Sequence, residues 1–182
     1  MTGIATDERA IGDTVVRRAM AGDREAFTRL VATYDSSMAK VAYVVSGDPD
    51  LARDAVQAAW TIAWRRLGGL RDPGQVRAWL LTIAANEARQ LVRRRRRHPV
   101  VDLSIVGDAT DGHGDPGDRI HLLDLERALH RLKPDDRALI ALRYIAGLDS
   151  GQIAAQLGGS ASGIRSRLSR AIEHLRTDLD HA

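Results

Sequence analysis

The chain contains no cysteine, which excludes disulfide staples and thiolate metal sites. Aromatic residues make up only 4% of its 182 residues, too few for a broad platform on which unpaired bases could stack. No apolar run approaches the length of a membrane span. The segment Met1 to Asp13 is polar and lacks the basic-then-apolar order of a secretory signal. Lysine is almost missing, with Lys40 and Lys133 the only two. The positive charge is therefore carried by arginine, whose planar fork suits bidentate contacts to phosphate and guanine. What remains is the expectation of a cytoplasmic protein without a membrane partner, with 44% hydrophobic residues from which to build cores.

Enzymatic signals are also missing. The histidines at 98, 113, 121, 130, 174 and 181 form no HExxH pair, and no glycine-rich phosphate loop is present. Neither a catalytic site nor a cofactor nor a metal site is expected.

Helical periodicity dominates, and no stretch alternates as a strand does, so the expected fold is all-α. After a polar tail over 1–12, a first domain spans 13–98. Within it a short helix covers Thr14 to Ala21. A second helix is capped by Asp23, and Phe27, Leu30, Val31, Tyr34, Met38, Val41 and Val45 form its inward stripe. Asp48-Pro49 caps and starts a third helix, and Gly68-Gly69 ends it. A fourth runs from about Gln75 into the run Arg93 to Arg97. Helical spacing assigns Trp60, Trp64 and Trp79 to the core.

From 99 to 119 the composition changes. Asp102, Asp108, Asp111, Asp115 and Asp118 stand among glycines and prolines, with no Lys or Arg until Arg119. This reads as a flexible acidic linker with an r.m.s. span of roughly 25 Å. A second domain is expected over 120–182. Pro134 opens one of its helices, with Asp135 and Asp136 in the first turn where the helix dipole favours acids. Asp149 and Gln152 have capping-box spacing, and Ser160 can cap the last helix.

The segment from Asp149 to Leu168 reads as helix, tight turn, helix. Ala154, Gly158 and Ile164 supply the small residue, the left-handed turn and the apolar plug. On the last helix Ile164, Leu168, Ile172 and Leu175 point inward. Arg165, Ser166, Ser169 and Arg170 fall outside that stripe, as expected of a helix lying in the DNA major groove. The run Arg93 to Arg97 repels itself, and a polyanion alongside relieves that repulsion. On the preceding turns Asn86, Arg89, Gln90 and Arg93 lie three or four apart. Arg53, Asp54, Gln57 and Thr61 share a polar face on the third helix, which by itself says only that the face is exposed.

Ordered motifs along the chain carry a family resemblance. They are Gly22 to Phe27 followed by Leu30-Val31; Asp50 to Gln57 with Ala63-Trp64-Arg65; Val76 to Asn86; and Leu142-Arg143-Tyr144 with Gly147-Leu148 ahead of the helix-turn-helix. Together they resemble a bacterial RNA polymerase sigma factor of the extracytoplasmic-function (ECF) subfamily. The resemblance implies a four-helix region 2-like domain that docks on a coiled coil of the polymerase's largest subunit and opens the −10 element. It implies a region 4-like domain that reads the −35 element and rests on the beta flap. Core polymerase and promoter DNA follow as partners, with an anti-sigma factor as a regulator.

Carried over residue by residue, Arg53, Asp54, Gln57 and Thr61 become the docking face. Arg71, in a loop over Arg71 to Gln75 that holds a flipped base, joins Asn86, Arg89, Gln90, Arg93 and Arg94 at the −10 element. Arg95, Arg96 and Arg97 contact the DNA backbone. Ser162, Arg165, Ser166, Arg167, Ser169 and Arg170 serve the −35 element. Ala58 stands where the family often has Glu, and Ser162-Gly163 where it usually has Gly-Thr. Two other readings are a stand-alone helix-turn-helix regulator and a non-initiating homologue acting as an interaction protein. The two bundles are expected to grip separate stretches of DNA, with their arginine surfaces open rather than merged into one bundle.

Overall fold

The computed structural model describes residues 12–97 and 116–180, and for 116–122 the backbone alone. The tail ahead of Gly12, His98, and the linker up to Asp115 lie outside the described residues. Eight α-helices are described: α1 (Asp13–Met20), α2 (Arg24–Ser46), α3 (Pro49–Arg66), α4 (Val76–Arg97), α5 (Pro116–Arg131), α6 (Pro134–Ile140), α7 (Ser150–Leu157) and α8 (Ala161–Asp180). No strand occurs among the described residues.

The local devices at the helix ends are short-range and strong. Asp23 accepts from the Ala26 amide, and Asp48 accepts from the amides of Asp50 and Leu51. Asp72 caps the 3-10 turn Pro73–Gln75 that leads into α4. Each supplies an acceptor for first-turn amides that have no partner within the helix. α2 ends at Gly47 with φ +69°, a left-handed conformation that suits glycine. The His130 ring occupies the space where a β-carbon at Gly47 would lie. At α7 both arms of the capping box form, Gln152 N–H to Asp149 Oδ1 at 2.8 Å and Asp149 N–H to Gln152 Oε1 at 2.9 Å. Asp149→Ala should cost about 1 kcal/mol and lower the melting temperature by about 2–4 °C. An unchanged thermal melt would show that α7 does not depend on its cap.

In the first domain α2, α3 and α4 pack against each other, with α1 laid on α2. Leu30, Met38, Val41, Val45, Leu80 and Leu81 are fully buried there. In the second, α8 packs on α5, α6 and α7 around Leu139, Leu142 and Ile153. α6 runs on through a π-helical turn, Ala141–Ile145, closed by Ala146 N–H to the Ala141 carbonyl at 3.0 Å.

Three expectations are corrected. α5 begins at Pro116 rather than after 119, because proline suits the first turn of a helix. Trp64 is 42% exposed and rests its indole edge-on against Phe27, with ring centroids 4.9 Å apart. Trp60 and Trp79 are partly buried against the core as expected, with Trp60 Nε1 donating to Asp35. Finally, the two bundles do not stand apart. α2 meets α6 and the π turn, and α4 meets α6, the π turn and α7. Residues of both domains, such as Val45 and Leu81 with Leu132, Leu139 and Leu142, join one apolar cluster. The physical reason is that α6 carries apolar residues on more sides than its own bundle covers. The second domain engages Arg89 and Arg93 through Asp135, while Arg94 to Arg97 and the outward face of α8 stay exposed.

Candidate nucleic-acid interface

α8 presents its N-terminal half outward. Ser162, Arg165, Ser166, Ser169 and Arg170 are exposed, while Ile164, Leu168 and Ala171 are buried. Ser160 Oγ accepts from the Gly163 amide at 3.1 Å, so the cap sets the start of this helix. Arg170 Nε donates back to the Ser166 carbonyl at 3.3 Å. Arg165 has no acid partner among the described residues. Arg167 faces the other way. Its Nη2 lies 2.7 Å from Asp136 Oδ1 on α6, which ties α8 to its neighbour and removes this guanidinium from the outward row.

α4 carries the second basic surface. Arg93, Arg94, Arg95, Arg96 and Arg97 are all exposed. Arg95 pairs with Asp48 at the start of α3, whose other oxygen serves the cap. Asn86 accepts from Arg89 Nη1 at 2.9 Å, and Gln90 donates to Glu87 at 3.0 Å. Arg89 Nε lies 2.8 Å from Asp135 Oδ1, and Arg93 Nη2 lies 2.7 Å from each Asp135 oxygen. Burial alone would raise the Asp135 carboxyl, but hydrogen bonds and charge from Arg89 and Arg93 outweigh it and hold it below the ordinary carboxylate range. The pairs therefore add stability above the ordinary carboxylate pKa and lose it as pH falls through the lowered value.

Arg71 is exposed on the turn between α3 and α4. It lines a hollow of 640 Å³ with Arg65, Arg66, Gln75, Trp79 and, from α7, Gln156. On α3, Arg53, Asp54, Gln57 and Thr61 are exposed on one side of the helix, with Arg53 paired to Asp50 at 2.7 Å. Beside this row a groove of 470 Å³ is lined by Asp35, Ala39, Tyr43, Val56, Gln57 and Trp60.

Several participants were not legible in the sequence. Asp135 and Asp136 read only as dipole-favouring acids of a helix start. Arg77, which donates to the Ala146 carbonyl, and Glu126, which accepts from the Tyr43 hydroxyl, carried no signal at all. Arg137 is 2% exposed, and its Nε has no hydrogen-bond partner among the described residues. Burial and the nearby Arg96 charge both push its guanidinium pKa down.

The profile for sigma-70 region 2 matches residues 30–98, and that for sigma-70 region 4 matches 122–175. The ECF RNA polymerase sigma-E factor of Escherichia coli K12 is 32% identical over 180 residues, covering 91% of this chain and 93% of that one. The chain belongs to the ECF sigma factors of the sigma-70 family. A probable RNA polymerase sigma factor RfaY of Xanthomonas campestris pv. campestris is also 32% identical, over 169 residues, and the chain spans 42% of that longer protein's length. The structure resembles CnrH solved with the cytosolic domain of CnrY, at TM-score 0.69 and 27% identity over 93% of this chain and 97% of that one. It resembles equally the sigma factor RpoE solved with the anti-sigma factor NepR from Bartonella quintana, at 0.69 and 27% over 85% and 96%. As a sigma factor its partners are core polymerase and promoter DNA. No helix among the described residues is long and apolar enough to cross a membrane.

Proposed function

We propose that this sigma factor recruits core polymerase through the α3 face and brings it to promoters by two modest DNA contacts. Domain 13–98 docks on the polymerase coiled coil through Arg53, Asp54, Gln57 and Thr61. It reads the −10 element through Arg71, Asn86, Arg89, Gln90, Arg93 and Arg94, with Arg95, Arg96 and Arg97 along the DNA backbone. Domain 120–182 reads the −35 element through Ser162, Arg165, Ser166, Ser169 and Arg170, while Arg167 positions the helix. The stretch between α4 and α5 tethers the two, so that binding of one raises the effective concentration of the other. The chain catalyses nothing itself, works in the cytoplasm with the polymerase, and is held in check by an anti-sigma partner.

The observation that supports this reading best is that α4 and α8 each hold an exposed arginine row in a different bundle, beside a separate exposed face on α3. Run-off transcription with purified core polymerase on a genomic library tests it. Defined start sites that appear only when this chain is added are expected. No binding to core polymerase, or tight protection of promoters by the chain alone, would overturn it.

A further inference from the structure

The −10 arginines already hold an anion, and it belongs to the chain itself. Arg93 grips both oxygens of Asp135 while Arg89 shares one of them. A carboxylate held by two guanidiniums presents them with the negative charge and acceptor oxygens of a backbone phosphate. Asp135 lies at the start of α6, in the other domain, 42 residues beyond Arg93.

The pairing is the centre of a wider contact. Arg77, near the start of α4, donates to the Ala146 carbonyl. Tyr43 on α2 holds Glu126 on α5, and the His130 ring lies against Gly47. Gln156 of α7 reaches the hollow lined by Arg71 and Trp79. Leu132, Leu139 and Leu142 complete the shared apolar cluster beneath. The second domain thus lies over the part of α4 that carries Arg89 and over the edge of the base-holding hollow.

We propose that Asp135 occupies the promoter-facing surface of α4 as an internal stand-in for DNA phosphate, so that single-stranded DNA and α6 compete for Arg89 and Arg93. This rests on the assignment of α4 to the −10 element. The closed contact is built to yield. Arg137 is buried there with no ion pair among the described residues, and the nearby Arg96 charge repels it. Asp135 and Arg93 are each partly solvated, with side chains 34% and 50% exposed, so exchanging the carboxylate for a phosphate strands no buried charge.

The test uses the full-length chain without polymerase and a fluorescent oligothymidine strand as probe, with affinity read by anisotropy. Asp135→Asn should bind the strand about tenfold more tightly, the size of one charge-assisted contact removed from the competitor. Glu126→Ala loosens the same interface from the Tyr43 side without touching α6, and should give a smaller gain. The chain's lack of cysteine lets Ala32→Cys and Ala155→Cys, both at exposed positions, carry a dye pair. Energy transfer between them should fall in both variants and fall in the wild type when the strand is added. If both variants keep wild-type affinity and energy transfer while Arg93→Ala weakens binding, the internal competitor is refuted and the −10 assignment stands. If Arg93→Ala also leaves the affinity unchanged, the assignment of α4 itself is lost.

Discussion

Replacing Arg94, Arg96 and Arg97 together by alanine is expected to weaken binding to every promoter by a similar factor. All three are exposed at the end of α4, and none has an acid partner among the described residues. Each guanidinium that meets a phosphate releases counterions, so losing three should flatten the slope of log affinity against log salt by roughly 2 to 3. Holoenzyme binding to two unrelated promoters across a salt series measures this. A slope equal to the wild type's would mean that the run faces solvent rather than DNA. Arg95 is left in place because its pair with Asp48 belongs to the cap of α3, and removing it would mix a stability change into the result.

Arg165→Ala should act in the opposite manner, on one base pair rather than on all. Arg165 sits in the outward first turns of α8, the half that meets base edges in a helix-turn-helix. A bidentate arginine lost from such a place relaxes discrimination at its position by about 1–3 kcal/mol. Competition binding against single-base variants of a −35 element reads this directly. Equal loss on every variant would reassign Arg165 to the phosphate backbone. Ser166 and Ser169 flank it on the same exposed side, so a base preference that survives the change would point to them.

Much of the fold was legible because its signals are local. The caps Asp23, Asp48 and Asp149 each act within three residues of their own position. The buried stripe of α2, from Leu30 through Tyr34 and Met38 to Val45, follows the helical period. Spacing also set the outward rows on α3 and α8. The hidden features are the long-range ones. Nothing near Asp135 in sequence distinguishes an acid that grips Arg93 from one that merely favours a helix dipole. Spacing left Arg167 out of the outward row and only the family resemblance added it, but nothing in the sequence marked its pair with Asp136. Trp64 shares the period of Trp60, yet lies at the rim against Phe27 and stays 42% exposed.

The π turn at Ala141–Ile145 has a geometric consequence for everything after it. Its closing bond spans five residues instead of four, so the chain gains one residue without a full extra turn. That wider loop keeps both Ala141 and Ala146 inward and throws Tyr144 out to 63% exposure. It therefore sets the residue register with which α6 meets the start of the helix-turn-helix, much as a shim sets the seating of a part. Deleting Tyr144 would remove the extra residue and shift the register at which α6 hands over to Gly147 and the helix-turn-helix, with every residue of the DNA-facing row unchanged.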